Sequence, residues 1–197
     1  RTLLGYCGTM WQIAFEQMEI VDSNPWRGSL KGLKSGKKKY PFLPLSFYEQ
    51  CGLTKHPLFM GLWYHGFRVN ELSCLLPEDI ILDDPYPHFK IVDNDWRGVK
   101  NDPSRREVPI HPLYFKFIEK FPFSTNPKAG DNFSRYMKRR CNHSAHGIRH
   151  NITTRMRKAG IEYSIAASIL GHDAEGMTAN YGDILLEDKY EQLRKLR

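Results

Sequence analysis

The sequence has little cysteine and no long apolar run. Its 197 residues include four cysteines, Cys7, Cys51, Cys74 and Cys141, and none of them forms a CxxC pair. This spacing argues against a zinc ribbon or a disulfide framework and indicates a reducing compartment. No apolar stretch approaches the roughly 18 residues of a membrane span, and no signal-peptide pattern is present. We therefore expect a cytoplasmic chain with no membrane partner.

Acidic residues are absent from one long stretch. Residues 134–158 contain three histidines and eight Lys/Arg residues but no Asp or Glu. Like charges repel, so such a cluster lowers stability unless an anion lies against it. A second acid-free basic run holds Arg27, Lys31, Lys34, Lys37, Lys38 and Lys39. The net charge of +7 is thus concentrated locally, which predicts a polyanionic partner such as nucleic acid.

The composition is that of a folded domain. Hydrophobic residues make up 41% of the chain and aromatic residues 13%, which is enough for a core. The length allows one large domain, or one domain with a small extension. Because the sequence opens on Arg1 rather than Met, we expect it to be part of a longer protein.

Helical spacing of apolar residues recurs along the chain. A first helix is predicted over 3–20, ended by Asn24-Pro25 and followed by a basic, linker-like segment at about 24–44. Ser46 is the predicted cap of a short helix, and Ser144 is the predicted N-cap of a longer one. The further predicted helices cover 46–51, 57–76, 113–121, 144–158, 163–170 and 185–196, with a short turn or helix at 177–181.

Three short runs have the character of strands, at 80–82, 88–92 and 106–110, and Lys100 lies in the loop between the last two. Strands this close in sequence favour antiparallel pairing. The predicted fold class is therefore mainly α (α+β), with a small three-stranded antiparallel sheet beside a helical body.

Taken singly, the polar residues of interest have ordinary explanations. Arg68 and Glu71 form a plausible surface pair, and a lysine such as Lys100 is common in a hairpin loop. His146 and Arg149 share one face of the predicted 144–158 helix, where no acidic neighbour pairs with them. His143, His146 and His150 are poorly spaced for zinc and have no Cys or carboxylate beside them, so no metal site is predicted.

Taken together, these residues supply the groups that phosphoryl transfer from DNA requires. Two arginines grip phosphate oxygens in a bidentate manner, and preorganised cations stabilise the charge that develops in the transition state. A tyrosine phenol can attack phosphorus. A lysine or histidine can protonate the oxygen that leaves.

The order of the motifs resembles that of the tyrosine recombinases, the phage-integrase family. The segment GFRVNEL at 66–72 resembles GxRxxEL, and Lys100 ahead of EVPI at 107–110 resembles the strand-loop-strand lysine. HGIRH at 146–150 resembles HxLRH, LGH at 170–172 resembles LGH, and Tyr181 follows His172 by nine residues. Asn24-Pro25, the basic linker and Pro41-Phe42-Leu43 also resemble the start of that catalytic domain, so the resemblance spans about 24–181.

The resemblance implies a role for each matched residue. The guanidinium groups of Arg68 and Arg149 would hold the scissile phosphate, and the phenol of Tyr181 would attack it. The remaining roles are leaving-group protonation by Lys100, acid–base catalysis by His146, a phosphate hydrogen bond from His172 and positioning by Glu71. The loop after Lys100 is longer than usual, so Lys90, Arg97, Arg105 and Arg106 are alternatives to it, while Tyr163 and Tyr190 are rival tyrosines with poorly fitting offsets.

The resemblance also implies an enzyme. It would be an integrase-type site-specific DNA recombinase that forms a 3′-phosphotyrosyl intermediate with no metal or cofactor. Its expected partners are double-stranded DNA, further copies of itself in a tetramer on DNA, and accessory DNA-bending proteins. The alternatives are a type IB topoisomerase-like enzyme and a non-catalytic DNA-binding module.

The implied domain organisation is a catalytic domain over 1–197, without the core-binding domain that precedes it in the family. Its C-terminal helix, at about 185–197, would dock on a neighbouring subunit or pack on its own domain. The basic residues expected to contact DNA are Lys31, Lys34, Lys37, Lys38, Lys39, Arg105, Arg106, Arg135, Lys138, Arg139 and Arg140.

Overall fold

The computed structural model describes residues 2–18, 21, 23–27, 40–99, 101–172 and 183–196. The chain divides into two compact units, residues 1–39 and residues 40–197. In the described ranges, no helix has both the length and the apolar character needed to cross a membrane. Several predicted features lie outside these ranges: Lys100, Tyr181, the turn at 177–181, and Lys31, Lys34, Lys37, Lys38 and Lys39.

The first unit contains helix α1, Thr2–Glu16, which ends earlier than the predicted residue 20. The side-chain amide of Asn24 donates to the carbonyl of Gly8 at 3.0 Å and to Oε1 of Gln12 at 2.8 Å. Oδ1 of Asn24 accepts from the backbone N–H of Trp26 at 3.0 Å. The Asn-Pro turn is therefore bonded back onto α1 through one side chain.

In the described part of the second unit, helices surround a small sheet. Its α-helices are α2 Leu45–Gln50, α3 Pro57–His65, α4 Val69–Ser73, α5 Phe115–Ile118, α6 Ala129–Cys141, α7 Ala145–Lys158, α8 Tyr163–Leu170 and α9 Leu186–Leu193. Single 3₁₀ turns lie at Pro77–Asp79, Asp102–Ser104 and Pro112–Tyr114. The predicted fold class, mainly α with a small antiparallel sheet, is confirmed.

The sheet has the three antiparallel strands that the sequence predicts. Strands β1 Ile80–Ile81, β2 His88–Ile91 and β3 Arg106–Pro109 pair in the order β1-β2-β3, and both pairings are antiparallel. Phe89 lies opposite Ile80 on one side and Val108 on the other. Phe89 and Val108 are fully buried, so one face of the sheet forms part of the core.

The single helix predicted over 57–76 is wrong, because the chain breaks between α3 and α4. Gly66 ends α3 in the left-handed conformation, with φ +68°, which glycine adopts without steric cost. Arg68 then has extended dihedrals at the N-cap of α4. Its backbone N–H donates to Oε2 of Glu71 at 2.9 Å. Arg68 therefore lies at the start of a helix. The expected position of Arg68, within a continuous apolar helix, is wrong.

Helix α6 was not predicted from the sequence. Within Ala129–Cys141 the buried positions are Gly130, Phe133 and Met137, so the sequence of this helix contains few apolar residues that mark a core-facing side. Helix α2 begins after Pro44 with no side-chain cap, so the predicted cap at Ser46 is wrong. The predicted 113–121 helix is a 3₁₀ turn followed by α5.

Helices α7 and α8 begin and end as predicted. Oγ of Ser144 accepts from the backbone N–H of Gly147 at 3.1 Å, which is the expected N-cap bond of α7. Helix α8 ends at Gly171, which has φ +63° and ψ +48°. Helix α7 packs against α3, and α8 packs against β3.

Helix α9 packs on its own domain in the described residues, against β3 and α8. Leu193 is fully buried, and the backbone carbonyl of Leu196 accepts from Nε2 of His111 at 2.9 Å. The amino group of Lys189 donates to the carbonyl of Glu107 at 3.2 Å. Of the two arrangements expected for this helix, the structure contains the intramolecular one.

Candidate active site

Three arginines converge on three consecutive backbone carbonyls at the end of α8. Nε of Arg106 donates to the carbonyl of Ile169 at 2.7 Å. Nη2 of Arg149 donates to the carbonyl of Leu170. Nη2 of Arg68 donates to the carbonyl of Gly171 at 3.0 Å.

These carbonyls are available because of how α8 ends. The last carbonyls of a helix have no partner within the helix and carry its negative dipole end. The N–H of His172 bonds to the carbonyl of Ala167 at 3.0 Å, and the N–H of Gly171 bonds to that of Ser168 at 3.3 Å. The carbonyls of residues 169–171 are thus left for the guanidinium groups, which complement the dipole.

Glu71 joins two of these arginines. Its Oε1 accepts from Nη1 of Arg68 at 2.5 Å, and its Oε2 accepts from Nη2 of Arg106 at 3.0 Å. Burial alone would raise the pKa of Glu71, but Arg106 and the hydrogen bonds from Arg106 and Arg68 lower it below its ordinary value. Glu71 is therefore an anion that contacts both guanidinium groups.

Arg149 is held from two sides. Besides its bond to α8, its Nη1 donates to the carbonyl of Gly66 at 2.7 Å. Burial, and then the positive charge of Arg68, lower the pKa of Arg149 to about 10, so it remains a cation at neutral pH. The left-handed turn at Gly66 thus both separates α3 from α4 and supplies an acceptor for this arginine.

The two predicted phosphate-binding arginines face one cleft of about 220 Å³, which is lined by Phe67, Arg68, Val69, Ala145, His146 and Arg149. The Arg68 side chain is 27% exposed. The described residues offer no hydrogen-bond partner to Nε of Arg68 or Nε of Arg149. One carboxylate faces three guanidinium groups in this cluster, so the cleft has an excess of positive charge suited to an anion.

His146 and His172 lie at this positive site. Burial, followed by the charges of His150 and Arg149, lowers the pKa of His146. Burial, followed by Arg149 and Arg68, lowers the pKa of His172 to about 4. Both imidazoles are therefore neutral at pH 7 in the free protein, and each can accept a proton.

His146 also contacts the start of the second unit. Its Nε2 lies 3.2 Å from Nε2 of His150, and the ring of Tyr40 stacks on His150 with centroids 4.8 Å apart. No sequence pattern predicts that Tyr40 contacts these histidines. His143 is the third of the histidines that are poorly spaced for zinc. It is buried, and its Nδ1 is hydrogen-bonded to the hydroxyl of Tyr48 at 2.8 Å.

Among the described side chains, no group of three or more His, Cys, Asp or Glu residues is arranged to hold a metal ion.

The alternatives to Lys100 occupy different environments. Arg97 is buried and pairs with Asp79 at 3.1 Å, whereas Arg105 is half exposed and pairs with Asp93 at 2.6 Å. Lys90 is exposed on β2.

The expected DNA-contacting residues divide into two groups. Arg135, Lys138, Arg139 and Arg140 are exposed on α6, as a DNA contact requires. Arg106 is not on the basic surface where it was expected, because its side chain is only 4% exposed and bonds to Glu71. The strand pattern indicates this burial. Arg106, Val108 and Ile110 are at every second position and so point to the same face of the strand, and Val108 and Ile110 are apolar.

Comparison with known proteins gives a consistent assignment. The chain is 30% identical over 77 residues to the Escherichia coli protein named "Probable site-specific recombinase in afa region". This match covers 37% of this chain and 31% of that protein. It is 23% identical over 169 residues to a tyrosine recombinase of Thermosipho africanus, covering 77% of this chain and 57% of that protein. The chain thus spans about a third to just over half the length of these relatives.

No family profile matches the chain. Its fold is similar to that of an integrase from mycobacterium phage Brujita, with a TM-score of 0.61 and 18% identity, over 100% of this chain and 71% of that one. This likeness establishes the fold, and the two relatives add sequence similarity to a probable site-specific recombinase and to a tyrosine recombinase. In its ordered motifs, its fold and its sequence, the chain is thus similar to tyrosine recombinases.

Proposed function

We propose that this chain supplies the catalytic part of a site-specific DNA recombinase that works through a 3′-phosphotyrosyl intermediate. The observation that carries the proposal is the cleft in which backbone carbonyls fix Arg68 and Arg149, while the described residues offer no hydrogen-bond partner to either Nε atom. A rigid pair of guanidinium groups with excess positive charge fits a phosphodiester, whose transition state gains negative charge.

The proposed cleavage step follows from the groups at this cleft. Arg68 and Arg149 hold the two non-bridging oxygens of the scissile phosphate. The phenol oxygen of Tyr181 attacks phosphorus while neutral His146 accepts its proton. The bond from phosphorus to the 5′-oxygen breaks, and Lys100 protonates that oxygen. His172 donates a hydrogen bond to the phosphate.

Rejoining reverses these roles. The 5′-hydroxyl of a partner strand gives its proton to Lys100 and attacks the phosphotyrosyl phosphorus, and the phenol leaves with a proton from His146. The energy of the phosphodiester bond is kept in the covalent link, so the reaction needs no ATP. Because nucleophile, charge stabilisation and proton donor all come from side chains, we include no metal-dependent step.

We assign this chemistry to residues 40–197, since every described site residue lies in that unit. Double-stranded DNA is the proposed substrate. Exchange between two duplexes requires several protomers, so we propose that the chain self-associates on DNA, in a tetramer, and acts with accessory DNA-bending proteins. A soluble, DNA-associated location in a bacterial or phage-infected cell accords with this role.

A pool of nicked DNA duplexes with randomised sequence around the nick tests the proposal without a known target site. Cleavage beside the nick releases a short fragment and traps the protein on the 3′ end. We expect a covalent adduct that survives denaturing electrophoresis and whose DNA can be sequenced. Tyr181→Phe should form no adduct, because the variant lacks the attacking oxygen.

The rival tyrosines provide matched controls. Tyr163 is 63% exposed, and the ring of Tyr190 packs 5.5 Å from that of Tyr86. Tyr163→Phe and Tyr190→Phe should form the adduct at the wild-type rate. An adduct that persists in Tyr181→Phe and disappears in either control would overturn the assignment of the nucleophile. No adduct from the wild-type chain with any sequence in the pool would overturn the proposed reaction.

A further inference from the structure

Arg106 is the arginine of the site whose donors all point into the protein. Its Nε donates to the carbonyl of Ile169 at 2.7 Å, and its Nη1 donates to the carbonyl of Ser104 at 2.8 Å. Its Nη2 donates to Oε2 of Glu71 at 3.0 Å. The side chain is 4% exposed, so the guanidinium has no face left for a DNA phosphate.

The contact between Arg106 and Glu71 reaches Arg68. Oε2 of Glu71 accepts from Nη2 of Arg106 and from the backbone N–H of Arg68, and its Oε1 accepts from Nη1 of Arg68. A carboxylate held at both oxygens has little rotational freedom, and bidentate Arg–carboxylate pairs fix orientation as well as distance. Without Arg106, Glu71 would lose the partner that opposes Arg68.

Arg106 also determines how closely the end of α8 approaches. A Cβ atom on Gly171 would lie 2.7 Å from Nη1 and 2.9 Å from Cζ of Arg106. Any larger residue at position 171 would collide with the guanidinium plane. The glycine of the LGH segment is therefore required by this arginine as well as by its own φ of +63°, and His172 follows directly.

We propose that Arg106 is a positioning residue that contacts no DNA and aligns Arg68 with the phosphate by holding Glu71 and the end of α8. This inference rests on the proposed function, because it assigns Arg68 to the scissile phosphate. It replaces the surface DNA contact that the sequence predicted for Arg106. The two roles differ in what they change: a positioning residue affects the maximal rate, and a surface contact affects affinity and its salt dependence.

The first test measures adduct formation on a nicked duplex over a range of DNA concentrations. In Arg106→Gln we expect the maximal rate to fall on the order of 10²-fold, since misplacement by about 1 Å has effects of that size. The half-saturating DNA concentration should change little. Arg194→Gln is the control, because Arg194 is a half-exposed arginine that pairs with Glu191 at 3.1 Å, and its loss should leave the maximal rate unchanged.

Two further variants exclude a simple loss of folding. Arg106→Lys keeps the charge beside Glu71 but loses the fork that also reaches Ile169, so its maximal rate should lie between those of wild type and Arg106→Gln. In the double variant with Glu71→Gln, the rate should be no lower than in the slower single variant, because both changes act on Arg68 through one ion pair. Independent, multiplicative losses would contradict this link, as would a weaker affinity with an unchanged maximal rate.

A second measurement needs no reaction. A guanidinium held by fixed acceptors rotates slowly, and arginine side-chain NMR of the DNA-free protein reports this rotation for Arg68. We expect slow rotation in wild type and Arg194→Gln, and faster rotation in Arg106→Gln. Unchanged Arg68 signals in Arg106→Gln would overturn the inference even if the wild-type chain formed no adduct, whereas the missing adduct alone would count against the proposed function.

Discussion

Arg149 and Arg155 are two buried arginines on α7 whose pKa values are both lowered to about 10, mainly by burial. They differ in what they contact. Arg149 reaches the carbonyls of Gly66 and Leu170 and lines the cleft. Arg155 donates to the carbonyl of Trp63 at 2.7 Å, and its guanidinium lies 4.2 Å from the centroid of that ring. The same substitution at the two positions therefore separates catalysis from stability.

We predict that Arg149→Lys lowers the rate of adduct formation by about 10² to 10³-fold, the usual effect of removing one donor from a developing oxyanion. Lysine retains the charge but cannot bond to two carbonyls and a phosphate together. DNA binding should survive in part. The measurement is single-turnover cleavage of a nicked duplex alongside an equilibrium binding curve.

Arg155→Lys is the control for this prediction. It should lower the midpoint of urea unfolding, because the contact with Trp63 is weakened, while the cleavage rate of the folded variant stays near that of wild type. Equal loss of cleavage in both variants would mean that Arg149 acts only through the fold.

The identity of these residues could be predicted from the sequence, but their environments could not. Motif order indicated Arg68, Glu71, His146, Arg149 and His172. The three carbonyls at 169–171 depend on how α8 meets β3 and α7, which are contacts between segments far apart in sequence. The charge of Arg106 predicts a surface contact, whereas the alternation of β3 predicts that its side chain lies on the same face as the buried Val108.

At the scale of elements, the break between α3 and α4 determines where Arg68 and Arg149 lie. A Cβ atom on Gly66 would lie 2.5 Å from Cδ2 of Leu170 and 2.7 Å from Cγ2 of Ile152. We predict that Gly66→Ala lowers the free energy of unfolding by about 2 to 5 kcal/mol, from left-handed strain and overpacking together. Urea unfolding followed by fluorescence measures this change.

Gly160→Ala separates the two causes. Gly160 has a nearly identical φ of +69°, and a Cβ atom there would meet nothing within 4 Å. Its substitution should cost about 1 kcal/mol, from backbone strain alone. Similar losses at both positions would show that the packing of Gly66 against Leu170 and Ile152 contributes nothing.

The elements that could be predicted were those with local signals. The three strands and the ends of α7 and α8 were marked by β-branched runs, Ser144 and Gly171. The prediction of one helix over 57–76 is wrong because the apolar pattern continues through Gly66 and Phe67, whereas the backbone leaves the helical conformation there. Helix α6 was missed because charged residues occupy most of its surface.

At the scale of the whole molecule, the net charge of +7 is unevenly distributed. Two of the cations are buried and paired with carboxylates: Arg97 bonds to Asp79, and Arg106 bonds to Glu71. By contrast, α6 and the residue after it form one exposed concavity, which is lined by Asn132, Arg135, Lys138, Arg139 and Asn142. Sequence alone could locate the basic stretch, but not which of its cations face solvent.

We predict that the exposed cations of α6 contribute to DNA affinity and not to the rate of cleavage. Each cation that neutralises a phosphate releases counterions, so its removal should reduce the slope of log K against log salt concentration by about 1. Lys138→Gln and Arg139→Gln should each show this reduction, with an unchanged maximal rate of adduct formation. Lys195→Gln is the control, since Lys195 is exposed beside Gln192 in the acidic C-terminal part of the chain. If Lys195→Gln lowered the slope as much as Lys138→Gln, net charge and not the face of α6 would determine how the chain binds DNA.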